Sequence, residues 1–165
     1  MNHRCKSFIA VAAIAVALGA CTQNPDPAKV QADIEKAQAD GQKIIADAQA
    51  NLDKVNAENT KDVVSTQADA RAAAADNQQQ TSPNAEDVHD AQVKASVKTA
   101  DAQYELEKAR AEAARNVAEA KCESQTGSAK DACETAAKSQ YDAAVAQAKA
   151  TNDAAHKQAD QANSH

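Results

Sequence analysis

The sequence predicts an all-α protein in which long, alanine-rich helices form an elongated antiparallel three-helix arrangement. Residues 21–165 contain 38 alanines but only 16 valines, isoleucines, leucines and tyrosines, and no Phe, Trp or Met. Alanine favours helices because it loses no side-chain entropy, whereas so few large apolar residues form only a thin core. Apolar residues recur at helical spacing, and only two breaks, at residues 76–83 and near Gly127, interrupt the pattern.

Residues 1–20 have the pattern of an export signal. A cationic start precedes an apolar run from Phe8 to Leu18, which is too short to span a bilayer. The segment Leu18-Gly19-Ala20-Cys21 resembles the lipobox of bacterial lipoproteins. This resemblance implies that the peptide is cut before Cys21 and that acyl chains such as palmitate are attached to this residue.

The lipobox resemblance implies a lipid-anchored protein. Each acyl chain contributes about 0.8 kcal/mol per buried CH₂, so several chains on Cys21 make a stable anchor. The alternative is an ordinary secretory signal that is cleaved after Ala20. An ordinary signal peptidase, however, tolerates Leu18 poorly at position −3 from the cleavage site. Thr22 follows the cysteine where an Asp would imply retention at the inner membrane. We therefore expect outer-membrane attachment facing the periplasm, with residues 21–25 as the lipidated tether.

Residues 26–75 are predicted to form one long amphipathic helix. Asp26 and Pro27 supply an N-cap and a first-turn proline. A stripe of roughly 100° contains Val30, Ile44, Ile45, Ala48, Leu52, Val55 and Val63. Several stripe positions recur with a period of about 11 residues, which favours a straight or slightly right-handed helix. Gly41 costs about 1 kcal/mol in a helix and is either a close-packing point or a kink.

Residues 76–83 are predicted to be a linker, and residues 84–165 a helical hairpin with a frayed C-terminus. The second helix starts at Asn84 and the third at Ser128, where Asp131 completes a pattern similar to a capping box. Cys122 and Cys133 form an even pair in an exported protein, which predicts a disulfide across this hairpin. The closed loop of about 12 residues gives roughly 3 kcal/mol of stabilisation.

The disulfide also predicts which residues face each other. If the hairpin is antiparallel, Ala118 faces Ala137, Ala111 faces Ala144 and Ala100 faces Ala155. The second helix carries another stripe, roughly opposite the first, composed of Val88, Ala95, Ala102, Leu106, Ala113 and Val117. We therefore expect this helix in the middle, with the third helix on one side and the first helix, or a second copy of the protein, on the other.

The hairpin sequence Lys121-Cys122-x4-Gly127-x2-Lys130-x2-Cys133 resembles one found in small alanine-rich envelope proteins of proteobacteria. These proteins have no assigned function, and some are described as similar to TolA, an envelope protein with a long alanine-rich helix. The resemblance covers this turn and the alanine- and lysine-rich helix after it, which is a minor part of the chain. It implies a family of helical envelope proteins without implying an activity.

No catalytic, cofactor-binding or metal-binding residues are predicted. Glu86-x-x-His89 and Asp153-x-x-His156 each resemble half of a di-iron motif, but the hairpin register separates the two histidines by about 15 Å. No glycine-rich phosphate loop is present. Loss of residues 1–20 changes the net charge from −6 to −8, which disfavours nucleic acid or an anionic membrane surface as a partner. A small-molecule substrate is not expected either, because the thin core forms no deep pocket.

The sequence therefore predicts a non-catalytic, membrane-anchored lipoprotein that is a structural spacer or interaction module in the bacterial cell envelope. Its expected partners are the membrane, through the N-terminal lipid, and helices of a second copy or of another envelope protein. One alternative is a stress protectant, because alanine-rich repeats of this kind resemble late-embryogenesis-abundant proteins. The other alternative is an adaptor for an envelope enzyme or transporter.

Overall fold

The computed structural model describes residues 25–76 and 83–164, which form the helices α1 (Pro27–Asp76), α2 (Pro83–Cys122) and α3 (Ser128–Ala162). α2 packs against both α1 and α3, and α1 makes no contact with α3 within these ranges. The predicted all-α, three-helix fold with α2 in the middle is confirmed. The signal pattern, Cys21 and the central part of the predicted linker, residues 77–82, lie outside the described residues.

α1 begins where the sequence predicts a capped start. The backbone N–H of Ala28 donates to the Asp26 carboxylate over 3.0 Å, and Pro27 is the first helical residue. This bond satisfies one of the N–H groups that the first turn of a helix leaves unpaired. With 50 residues at 1.5 Å per residue, α1 extends for about 75 Å and sets the length of the molecule.

The interface between α1 and α2 contains the hydrophobic core. Leu52 from α1 is buried against Ala102 and Leu106 from α2. Three further α1 residues pack against this cluster: Ile45, Ala48 and Val55. The predicted second stripe of α2 is therefore covered by α1 of the same chain.

α1 and α2 approach each other closely at Gly41. A Cβ atom added to Gly41 would lie 2.8 Å from the Cβ of Ala113 and 3.4 Å from its Cα. Real Cβ atoms do not approach this closely, so the two helices fit together only because residue 41 has no side chain. Of the two interpretations left open by the sequence, the structure selects the close-packing point.

The interface between α2 and α3 is lined mainly by alanine and is closed by the predicted disulfide. Cys122 and Cys133 are linked with their Cα atoms 5.6 Å apart. The buried residues of α3, evenly spaced along the helix, are Ala137, Ala148 and Ala159. Arg115 of α2 lies over the Tyr141 ring of α3, 5.3 Å from its centroid. These contacts agree with the predicted antiparallel register.

The start of α3 differs from the prediction. The N-cap residue is Gly127, and Ser128 is already the first helical residue, so the predicted capping box at Ser128 is wrong. Gly127 has φ 58° and ψ −142°, a backbone conformation that other residues adopt only with strain. The chain needs this conformation to reverse direction, and the cap position therefore falls on glycine, one residue earlier.

Candidate functional site

The start of α1 and the disulfide-closed turn lie at the same end of the molecule. Cys21 lies outside the described residues, but Pro25, a short way along the chain, is described. One shallow depression is lined by Pro25, Asp26, Lys29, Val30, Asp33, Glu123, Gln125, Thr126, Gly127 and Lys130. The start of α1 and the turn between α2 and α3 therefore lie side by side. We call this region, residues 25–33 and 123–130, the turn end.

The turn end is held together by three kinds of contact. The Cys122 side chain is fully buried in the disulfide, and Val30 is buried at the start of α1. Lys130 Nζ lies 2.8 Å from Glu123 Oε2 across the turn. The hydrogen bond from Lys130 to Glu123 raises the pKa of the lysine, and partial burial opposes this effect without cancelling it. The turn end is thus a cross-linked structure in which the positive charge of Lys130 is balanced by an ion pair with Glu123.

The opposite end of the molecule, where α1 ends and α2 begins, presents a shallow acidic groove of about 520 Å³. We call it the far end. Its charged lining residues are Asp62, Asp69, Asp87, Asp90, Lys94 and Lys98. Lys98 Nζ approaches Asp62 Oδ2 to 3.7 Å, and both side chains are exposed. Within the described ranges, no three His, Cys, Asp or Glu side chains are grouped so as to bind a metal ion.

A broader groove of about 800 Å³ lies over α2 between α1 and α3. Its floor includes Leu52, Tyr104 and Leu106. Its polar lining residues are Gln49, Gln103, Glu107, Arg110, Gln147, Thr151 and Asn152. The groove contains amide and hydroxyl groups but neither a cysteine nor a histidine, and Glu107 is paired with Arg110 at 2.7 Å. This arrangement is an open, solvated surface and not an enclosed pocket.

Asn59 is a buried polar residue that sequence reasoning missed. It is only 5% exposed, and its amide donates to the Ala95 carbonyl at 2.8 Å and to Thr99 Oγ1 at 3.0 Å. Thr99 in turn donates to Asn56 Oδ1 over 3.0 Å. The signal was available, because Asn59 continues the regular spacing of Ala37 and Ala48 along α1. The pattern of apolar side chains does not reveal Asn59, because its own side chain is polar.

His156, from one of the two di-iron-like patterns, pairs with a carboxylate. Its Nε2 lies 2.7 Å from Asp101 Oδ1, and Asn152 Nδ2 donates to the same oxygen over 3.0 Å. Burial tends to raise the pKa of Asp101, but the hydrogen bonds from His156 and Asn152 outweigh it, so this pKa lies below its ordinary value. The cluster therefore links α2 to α3 at a position far along α2 from the disulfide.

The outer surfaces of the three helices are polar. None of them contains a segment apolar enough to cross a bilayer. Val64, at 57%, is the one large apolar side chain that is exposed among those the structure describes. Comparison with known proteins finds no match among family models, curated proteins or solved structures. The resemblances at Cys21 and at the hairpin therefore stay predictions.

Proposed function

We propose that this protein is a non-catalytic lipoprotein of the bacterial cell envelope, anchored through Cys21 and facing the periplasm. Its helical layer serves as a spacer or interaction module. The observation that carries the proposal is the pairing of apolar stripes within one chain, around Leu52, Ala102 and Leu106. This pairing gives an elongated body with polar outer surfaces. Such a body is suited to holding components apart, because α1 alone extends for about 75 Å.

The proposed anchor is supported by the position of the lipobox-like segment relative to the folded body. The helical layer starts at Pro27, very soon after Cys21 in the chain. An anchor so close to the body keeps the start of α1 near the membrane surface. In enteric bacteria, an Asp directly after the lipidated cysteine implies retention at the inner membrane. Thr22 occupies this position here, which supports the outer membrane as the destination.

The anchor is tested by blocking lipoprotein processing. Globomycin inhibits lipoprotein signal peptidase, so treated cells should accumulate the longer precursor. The Cys21→Ser variant should leave the membrane fraction, whereas the matched Thr22→Ala variant should remain in it. Unchanged processing with globomycin, or Cys21→Ser protein that stays in the membrane fraction, would refute the proposed anchor.

A stress protectant is the second candidate, because the regular long-period spacing of α1 and α3 resembles late-embryogenesis-abundant proteins. The interhelical core and the disulfide favour the spacer, since a protectant of that kind is a coil in dilute solution. Circular dichroism of the lipid-free mature chain separates the two candidates. High helicity with a cooperative thermal transition supports the spacer. A coil that becomes helical only in trifluoroethanol or on drying supports the protectant.

A further inference from the structure

We infer that the turn end faces the lipid surface and that the molecule extends away from it, with its acidic far end most distant. This inference rests on the proposed anchor at Cys21. It adds an orientation, and it identifies residues 25–33 and 123–130 as the surface that meets the lipid headgroups. The occupant of this surface is the membrane that holds the acyl chains.

The short chain between Cys21 and Pro25 keeps the turn end close to the lipid. At no more than about 3.6 Å per residue, the chain between Cys21 and Pro25 spans at most about 14 Å. Pro25 lines the same depression as Thr126 and Gly127. A lipid on Cys21 therefore brings the disulfide-closed turn close to the headgroups. α1 places the far end about 75 Å from this end of the molecule, so the far end meets the headgroups only if the molecule lies flat.

The chemistry of the long sides disfavours a molecule lying flat. Acidic residues outnumber basic ones on every helix, nine to six on α1, eight to six on α2 and five to four on α3. Helices that lie on membranes need an apolar face bordered by basic residues. Val64 does not form such an apolar face, because no second large apolar side chain is exposed within the described ranges.

The charged side chains of the turn end do not form a basic patch. Lys130 is paired with both Glu123 and Glu134, at 2.8 and 3.7 Å. Residues 25–33 and 123–130 contain three acidic and two basic side chains, so the turn end has no basic patch that would bind anionic headgroups by itself. The disulfide fixes the turn beside the start of α3. The turn end is therefore held at the headgroups by the acyl chains on Cys21 and not by its own charge.

Fluorescence energy transfer tests this orientation. Lipidated full-length protein is bound to vesicles of phosphatidylethanolamine and phosphatidylglycerol that contain an acceptor-labelled lipid. The donor is attached to a new cysteine in either Thr126→Cys or Ala72→Cys, two exposed positions, with the native disulfide kept oxidised. Thr126 lies beside the start of α1 and Ala72 lies near its end, so the two sites are about 65 Å apart. Energy transfer from residue 72 should therefore be at least about fivefold weaker than transfer from residue 126.

The possible results separate the orientation from the anchor. Equal transfer from both sites on vesicle-bound protein would mean that the molecule lies flat and would overturn the inference. Stronger transfer from residue 72 would overturn it as well. Failure of the lipidated protein to sediment with the vesicles would instead refute the anchor, and with it the orientation. The same labels on Cys21→Ser protein, which should stay unbound, give the background signal.

Discussion

The two interfaces of α2 are stabilised in different ways. The interface with α1 has no covalent link within the described residues and depends on Leu52, Leu106 and the close approach at Gly41. The interface with α3 has mainly alanine side chains and a disulfide at one end. Alanine buries little apolar area, so packing alone contributes little there. A chain with few large apolar residues therefore combines close backbone approach on one side with a covalent cross-link on the other.

The polar groups of the two interfaces differ as well. Asn59 is buried between α1 and α2, where its amide is satisfied by Ala95 and Thr99. A shift in register would leave this amide without partners, at a cost of about 1–3 kcal/mol. The Asp101–His156 pair between α2 and α3 is half-exposed and contributes less. Asn59 thus defines the α1–α2 register, while the disulfide defines the register of α2 and α3.

Removal of the disulfide should have the largest effect. The Cys122→Ala, Cys133→Ala double variant should lose roughly 3 kcal/mol of stability, because the unfolded chain regains the freedom of a loop of about 12 residues. For a protein of this size, the melting temperature should fall by about 10 °C. Thermal denaturation followed by circular dichroism measures this change.

Chemical reduction gives the matched control for the disulfide. A reductant should lower the melting temperature of the natural protein by a similar amount and leave the double variant unchanged. Equal melting temperatures for the oxidised protein and the double variant would contradict the importance given to the cross-link in the α2–α3 interface.

Gly41→Ala should have the next largest effect, on the α1–α2 interface. Helix propensity alone favours alanine by about 1 kcal/mol. The added Cβ would lie 2.8 Å from the Cβ of Ala113, and overpacking of this kind costs about 1–3 kcal/mol. We therefore expect a net loss of about 1 kcal/mol in the free energy of unfolding, measured by urea denaturation.

A second substitution identifies the cause of that loss. The Gly41→Ala, Ala113→Gly double variant restores the space between the helices, so it should be more stable than the two separate effects predict. Gly41→Ala protein that is about 1 kcal/mol more stable than the natural protein would refute close packing at this site and would leave helix propensity as the dominant effect.

Asp101→Asn should have the smallest effect, about 0.5 kcal/mol at neutral pH, because the pair with His156 is half-exposed. The pKa of Asp101 is lowered in the folded protein. Its contribution is therefore present above the ordinary carboxyl pKa, near 4, and is lost as the pH falls through the lower folded value.

Urea denaturation of the natural protein and the Asp101→Asn variant at a series of pH values tests this predicted pH dependence of stability. The difference between them should shrink below about pH 4. Asp142→Asn is the control, since the described ion pair of Asp142 is with Lys138 on its own helix. A difference that grows as the pH falls would contradict the lowered pKa of Asp101 in the folded protein.

Much of the fold follows from the sequence because its signals are local or covalent. The spacing of apolar residues predicts the helices, and the cysteine pair predicts both the hairpin and its register. The capping box at Ser128 was predicted wrongly because the turn depends on the backbone of Gly127, which a capping pattern does not describe. Asn59 escaped prediction because a polar residue is stable within an apolar stripe only when another helix supplies its partners.

The sequence by itself determined the helical class, the order of the three helices and the pairing of Cys122 with Cys133. These features depend on residue spacing along one chain. Only the tertiary structure decided that Gly41 is a close-packing point, that α1 covers α2 of the same chain, and that Pro25 lies beside the disulfide-closed turn. Each of these depends on the distance between atoms of different helices, and residue spacing within one helix does not contain that distance.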